Sequence, residues 1–352
     1  MVTFGGVETT IYNFKIDLNW QLVDLLRQID RFDASWLSIE RNADYDLKQL
    51  KSIATIQSTG SSTRIEGSSM SDEAVEELLK NLDINKLSNR DAQEVAGYFE
   101  TLDLISEGHG NIDITENNLK SLHKTLLQYS TKDEWHRGDF KKHNNSVEAI
   151  FPDGNRQLIF ATTEAGYPTE IATSSLLNWY NSDQLTHPLV RCAAFVYDFV
   201  SIHPFQDGNG RLCRLISSLL LLKHGYRWIE YVSFEHEIEK RKNEYYKVLR
   251  ACQAMRPNEN ISQWVIFFLS CLKTIQEVLM LKLNSFIVDT QLNPREQAIL
   301  RFIRMNPGCR SGEIANKLGM AVPTIKKALP ALLGLKLIRK YGAGAGTNYS
   351  IH

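Results

Sequence analysis

The chain has 352 residues, 43% hydrophobic and 10% aromatic, enough apolar surface for packed cores and too much for wholesale disorder. That length predicts two or more domains rather than one small module. Forty basic residues against 41 acidic ones give a net charge of −1, which argues against a uniformly basic nucleic-acid coat or an acidic disordered tail.

At the N-terminus, MVTFGGVETTIYNFKIDLNW lacks a basic stretch followed by an apolar one, so no secretory signal is expected. Helical periodicity runs through almost every segment, which makes the fold class mainly α. One helix is predicted to start near Asp44. After it, Ser58-Thr59-Gly60-Ser61-Ser62-Thr63 is a small-residue stretch that reads by itself as a linker. Leu119, Leu122, Leu126 and Leu127 have helical spacing behind Thr115, a suitable N-cap. Between about Ser146 and Pro168, two β-prone runs flank Pro152-Asp153-Gly154-Asn155, which predicts a β-hairpin or flap.

Next comes His203-Pro204-Phe205-Gln206-Asp207-Gly208-Asn209-Gly210-Arg211-Leu212-Cys213-Arg214. Gly208 and Gly210 bracket Asn209 immediately before the helical apolar stripe Leu212, Leu215, Ile216, Leu219, Leu220. A loop poor in side chains therefore enters a helix N-terminus, where unpaired N–H groups and the helix dipole favour an anion, typically phosphate. Arg211 and Arg214 fall on the face away from the stripe, and two guanidinium forks there suit a polyphosphate. Asp207 adds a further anion, which makes sense with a divalent cation such as Mg²⁺ between it and the phosphates. His203, at the end of the preceding helix, is placed to take a proton from an incoming hydroxyl. The longest strongly apolar helix piece, Leu212 to Leu222, falls short of the roughly 20 residues that span a bilayer, so no membrane partner is expected.

A long helix is predicted from about Ile261 to Ile287, followed by a junction at Asp289 to Pro294. From Leu292 onward ten basic residues stand against two acidic ones, a net +8 that leaves −9 for the rest. The tail predicts helices at Arg295 to Met305, Ser311 to Leu318 and Val322 to Leu333, the last with an awkward Pro330 that kinks or shortens it. Leu337 to Tyr341 and Thr347 to Ile351 then flank a glycine-rich tip. That order is a winged helix-turn-helix, with Lys326 and Lys327 on the candidate recognition helix and Arg339 and Lys340 on the wing. Its alternatives are DNA binding and a packing or dimerisation module. The five cysteines, Cys192, Cys213, Cys252, Cys271 and Cys309, show neither CxxC pairing nor zinc-ligand spacing and read as reduced thiols, so a cytoplasmic location is expected.

The twelve residues from His203 to Arg214 resemble the HPFx(D/E)GNGRxxR signature of the Fic family, within the wider Fido superfamily, and the likeness extends over roughly Ser88 to Leu269. The resemblance implies a Fic/Fido helical fold and transfer of a nucleotide monophosphate, usually AMP from ATP, to a Ser, Thr or Tyr hydroxyl of a protein, with pyrophosphate released. By that analogy His203 is the base and Asp207 holds Mg²⁺. Gly208, Asn209 and Gly210 form the anion nest, while Arg211 supports the α and β phosphates and Arg214 the γ-phosphate. Tyr245, and Gln253 where Asn is common, resemble the adenine-side wall. The flap at residues 146–168 would pair with an extended target segment. Lys141 stands where the family often has Arg.

Beside this motif Ser61-Ser62-Thr63-Arg64-Ile65-Glu66-Gly67 matches the family's inhibitory pattern (S/T)xxxE(G/N), with Ser62, Glu66 and Gly67 in place. Glu66 would pair with Arg214 and withhold it from the γ-phosphate, and Gly67 would end the helix at positive φ. The expected organisation is therefore an inhibitory helical region (1–87), a catalytic domain (88–290) and a winged-helix domain (291–352). A homodimer is expected from the family. Other readings are a DNA-bound regulator whose Fic domain senses nucleotide, an enzyme using another nucleotide, and one that removes AMP.

Overall fold

The computed structural model describes residues 7–42, 44–82, 87, 89–150, 156–335, 337–342 and 344–351. The chain divides into two compact units, Met1–Leu279 and Met280–His352.

The first unit is mainly helical. It opens on a hairpin of β1 (Val7–Ile11) and β2 (Phe14–Leu18), which the helical reading of this stretch missed. Alternation was present there, since Phe14 and Ile16 are buried and Lys15 is exposed. The helices α1 (Trp20–Asn42), α2 (Asp44–Ile65), α3 (Asp72–Lys80), α4 (Arg90–Gly108) and α5 (Glu116–Leu126) follow. Side-chain caps start three of them: Ser71 for α3, Asn89 for α4 and Thr115 for α5.

The linker reading of Ser58 to Thr63 is wrong: these residues form the last turns of α2. Their small side chains are what permits this, because Thr59, Ser61, Ser62 and Thr63 are fully buried where α2 packs against α4, α8 and α9. Thr63 Oγ1 bonds back to the carbonyl of Thr59 at 3.0 Å, so a buried hydroxyl is satisfied within the helix. Gly67, at φ +108°, ends the run in a backbone region that side-chain-bearing residues rarely adopt.

The flap consists of β3 (Ser146–Ile150) and β4 (Arg156–Ala161), antiparallel, with a register shift between Val147 and Glu148. The turn residues Pro152 to Asn155 lie outside the described residues. The hairpin ends earlier than residue 168, because α6 (Tyr167–Ser182) begins with Pro168 in its first turn.

The core is built on α7 (Pro188–Ile202) and α8 (Asn209–Lys223), in both of which nearly every side chain is buried. Each fully buried Leu, Ile or Phe there contributes roughly 1.5–3 kcal/mol of transfer free energy. The helix α8 is enclosed on all sides, so Arg211 and Arg214, on the face away from the apolar stripe, are as buried as the leucines. Next come α9 (Phe234–Lys240), α10 (Lys242–Gln253) and α11 (Ser262–Gln291). Ser262–Leu283 is long and apolar enough to cross a membrane by length and composition, which corrects the choice of Leu212 to Leu222 as the longest apolar helix piece. Trp264, Phe268, Leu272, Ile275 and Leu279 on it are all buried in the unit's core. All five cysteines are free and buried.

In the second unit, α12 (Pro294–Met305), α13 (Ser311–Leu318), α14 (Val322–Gly334) and the hairpin of β5 (Ile338–Tyr341) with β6 (Asn348–Ile351) surround one core of Ile299, Ile303, Ile314, Ile325, Leu329 and Leu332. A capping box of Asn293 and Glu296 starts α12. Pro330 neither stops nor shortens α14, which continues to Gly334. Lys326, Lys327, Arg339 and Lys340 are exposed.

Candidate active site

The site is built where α7 ends and α8 begins. His203 caps α7 in the left-handed conformation, φ 57° and ψ 61°, an unusual one for a residue with a side chain. Its ring Nδ1 lies 3.1 Å from the carbonyl of Val200. A carbonyl only accepts, so Nδ1 carries the proton and Nε2 keeps its lone pair, in a cavity-lining side chain. Burial pushes the His203 pKa down, the Val200 carbonyl opposes that, and Lys141 adds to it; the net is an imidazole that stays neutral.

Asn209 fixes the loop between the helices. Its Oδ1 accepts from the Phe205 N–H at 2.9 Å and its Nδ2 donates to the Phe205 carbonyl at 2.7 Å. The anion nest assigned to Asn209 therefore involves its backbone only, the side chain being spent on Phe205. The first-turn N–H groups of α8 have no carbonyl four residues back, which leaves them facing the cavity as an anion-binding group. A Cβ at Gly210 would meet Glu66 Oε1, so any side chain there would force the carboxylate to shift from its place against this helix.

Asp207 points its carboxylate into the cavity, with Oδ1 accepting from the Gly208 N–H at 2.6 Å. Burial pushes its pKa up, but Arg211 and that N–H outweigh burial and hold it below the ordinary value. Arg211 is 2% exposed, and its NH1 lies 3.3 Å from Glu94 and its NH2 3.8 Å from Asp207. Its Nε is enclosed and has no hydrogen-bond partner among the described residues, while the side chain as a whole lines the cavity. Glu94 also accepts from Arg90 Nε at 2.7 Å, and Arg90 NH2 stands 3.6 Å from Asp207.

Arg214 is occupied. Ser62 accepts from its Nε with Oγ at 2.8 Å and from its NH2 with the backbone carbonyl at 2.9 Å, and Glu66 Oε1 accepts from NH2 at 2.8 Å. Burial pushes the Glu66 pKa up, and Arg214 more than reverses it, so Glu66 is ionised. The three predicted inhibitory residues thus meet the motif: Ser62 and Glu66 touch Arg214, and Gly67 terminates the helix that presents them.

Together these groups line a cavity of about 290 Å³ whose far wall is Tyr245, Tyr246, Leu249, Arg250 and Gln253. Gln253 donates from Nε2 to Ser201 Oγ at 2.9 Å, which holds its amide against α7. The set can hold a polyphosphate on α8 with a planar ring against the tyrosines, and it presents one unprotonated imidazole nitrogen.

Four residues of this site escaped a role in the sequence reading. Arg90 and Glu94 come from α4, more than a hundred residues before the motif, and no spacing rule links them to it. His123 is fully buried, accepts from the Gly138 N–H on Nδ1 at 2.9 Å, lies 2.9 Å from the Asp207 carbonyl through Nε2, and stacks on Phe205 at 3.9 Å. Its apolar neighbours Leu119, Leu122 and Leu126 were visible as a helix face, the signal that could have placed His123 in the interior but not named its partners. Lys141, noticed only as a departure from Arg, has its ammonium buried beside the flap.

The profile of the Fic/DOC family matches residues 113–221. Among curated proteins, the chain is 30% identical over 195 residues to the protein adenylyltransferase Fic of Culex quinquefasciatus, covering 54% of this chain and 36% of that one, and 29% identical over 195 residues to that of Aedes aegypti, with the same coverage. The match thus spans about a third of those relatives' length. Among solved structures, a Fic family protein from Desulfovibrio desulfuricans G20 superposes with a TM-score of 0.62 at 22% identity, over 95% of this chain and 97% of that one. A Fic domain-containing signaling protein from Bacteroides thetaiotaomicron gives 0.60 at 22% identity, over 73% and 97%. The solved structures share the fold, and the match to the Fic/DOC family covers residues 113–221, which contain the whole His203 to Arg214 motif.

Proposed function

We propose that this protein is an autoinhibited protein adenylyltransferase that moves AMP from ATP to a Ser, Thr or Tyr hydroxyl of a target protein, itself included, with release of pyrophosphate. The supporting observation is the three-way hold on Arg214: Ser62 and Glu66 occupy a buried guanidinium that the same cavity would offer to a γ-phosphate. ATP bound beside an occupied Arg214 would sit with its α-phosphate turned away from attack.

In this reading His203 Nε2 takes the proton of the target hydroxyl, whose oxygen attacks the α-phosphate in line. Arg211 and the first-turn N–H groups of α8 hold the phosphates, and the charge that develops is met by donors already in place. Asp207 fits a Mg²⁺ ion: its ionised, cavity-facing carboxylate suits a metal that takes one or two protein oxygens and completes its shell with phosphates and water. When bound, that ion would neutralise phosphate charge. Tyr245 and Gln253 would border the base.

The test is mass spectrometry of Glu66→Gly protein after incubation with each nucleoside triphosphate and Mg²⁺. A mass gain of one AMP from ATP, abolished by a further His203→Ala change, is expected. No added mass with any nucleotide would sink the transferase reading, and a different added group would replace AMP. Loss of AMP from a pre-modified protein on adding wild type, but not Glu66→Gly, would favour removal instead.

A second reading concerns the other unit, as a DNA-binding module. Exposed Lys326 and Lys327 on α14, with Lys340 exposed on β5, support it, since such cations match phosphate contacts. Duplex binding that weakens steeply with salt is the expected result. An absence of binding even at low salt removes it.

A further inference from the structure

We propose that Lys141 is a positioning residue of the transfer reaction, setting the distance between the flap that receives the target and the imidazole of His203. The inference rests on the transferase reading above for its function, and on geometry for the grip itself.

Lys141 is 1% exposed, and its Nζ donates to three neutral oxygens: Asn145 Oδ1 at 3.0 Å, Thr162 Oγ1 at 2.9 Å and the carbonyl of Ile202 at 3.1 Å. These partners have meaningful places in the chain. Asn145 immediately precedes β3 and Thr162 immediately follows β4, so one ammonium holds both roots of the flap. Ile202 is the last residue of α7, next to His203, and its carbonyl is one of those a helix C-terminus leaves without a partner. On the other side of His203, the Lys141 N–H donates to the Pro204 carbonyl at 2.9 Å. Lys141 therefore brackets His203 in sequence, holding the residue before it with its side chain and the residue after it with its backbone.

The rest of the network closes on the same loop. Thr162 Oγ1 lies 2.7 Å from Asn145 Oδ1 and 2.8 Å from the Asn145 carbonyl, and Asn145 Nδ2 donates to the Phe205 carbonyl at 2.9 Å. An ammonium brings three donors in a tetrahedral array, which matches three converging acceptors from three segments. Burial without a facing carboxylate among these partners pushes its pKa down to about 8, the cost of using a cation as a structural node. A target segment added to the flap edge would inherit this registration, bringing its hydroxyl to the His203 nitrogen.

The experiment uses the full chain in the Glu66→Gly background, with Lys141→Met, Lys141→Arg and Thr162→Val. Hydrogen–deuterium exchange of the flap amides is measured first, because it needs no catalysis. Transfer is then measured from radiolabelled ATP to a His203→Ala copy used as protein acceptor. Lys141→Met is expected to speed exchange of the flap roughly tenfold. It should raise the KM for acceptor by about tenfold and leave the KM for ATP within about twofold. Lys141→Arg is expected to restore both. Thr162→Val, which removes one partner and keeps the lysine, should move the same quantities in the same direction and decides the matter if Lys141→Met does not fold. Unchanged flap exchange in Lys141→Met and Thr162→Val, or a KM for ATP that rises as much as that for acceptor, overturns the proposal. If Glu66→Gly itself transfers nothing, the transferase reading fails, while the exchange data still show whether Lys141 holds the flap.

Discussion

His123 gives the most quantitative test of how the loop before α8 is held. Its Nδ1 accepts the Gly138 N–H and its Nε2 donates to the Asp207 carbonyl, so both nitrogens are committed in the neutral ring. Protonation puts a hydrogen on Nδ1 and breaks the Gly138 bond in a site with no exposure to water. Burial accordingly pushes the pKa from 6.5 down to about 4. Between these values the unfolded chain carries the proton and the folded chain does not, so stability falls as pH drops from about 6.5 to about 4 and is insensitive to this group above and below. At 1.36 kcal/mol per unit, the full loss is about 3 kcal/mol, of which about 2 kcal/mol has accrued by pH 5.

Urea unfolding followed by tryptophan fluorescence at pH 7.5 and pH 5 measures this. All six tryptophans, Trp20, Trp36, Trp135, Trp179, Trp228 and Trp264, lie in the first unit, so the signal reports the unit that contains His123. His123→Gln is the reference: a Gln amide can accept from Gly138 and donate to Asp207 without titrating. The drop in stability between the two pH values should be larger in wild type than in His123→Gln by about 2 kcal/mol. Equal drops would mean that the buried neutral imidazole is not what couples this loop to pH.

Asn209→Ala removes both bonds to Phe205 and leaves its N–H buried and unpaired, while the carbonyl keeps Asn145 Nδ2; a loss of about 1–3 kcal/mol in the same urea assay is expected, and less than about 0.5 kcal/mol would contradict the pinning role. Ser62→Ala takes one of the three contacts from Arg214 while Glu66 stays, so self-labelling with radiolabelled ATP should rise above wild type and remain below Glu66→Gly. Arg90→Met removes a cavity-lining cation beside Asp207. ATP affinity by calorimetry should fall roughly tenfold while adenosine affinity is unchanged; a parallel loss for adenosine would point to a distorted cavity instead.

Much of the site was legible in the sequence because its groups are contiguous. His203, Asp207, Gly208, Asn209, Gly210, Arg211 and Arg214 lie within twelve residues, and helix geometry relates them without any knowledge of the rest of the fold. Ser62, Glu66 and Gly67 were legible through resemblance alone. Composition had marked their neighbourhood as a linker, because small polar residues look the same whether they are solvated or packed against helices. The N-terminal hairpin was missed although Phe14 and Ile16 alternate with polar residues, since five-residue strands give too few repeats to outweigh the surrounding helical signal.

What the tertiary structure decided is the partnership between distant segments. That Glu94 from α4 sits between Arg90 and Arg211, that His123 from α5 stacks on Phe205, and that Lys141 joins both roots of the flap to the end of α7 follow from how the helices cross. The net charge shows the same division. The sequence determined that −1 is a cancellation between a basic tail and an acidic remainder. Only the packing put Arg211 and Arg214 inside that acidic remainder at 2% and 3% exposure, where low polarity makes each unpaired donor expensive and each anion that satisfies it correspondingly favourable.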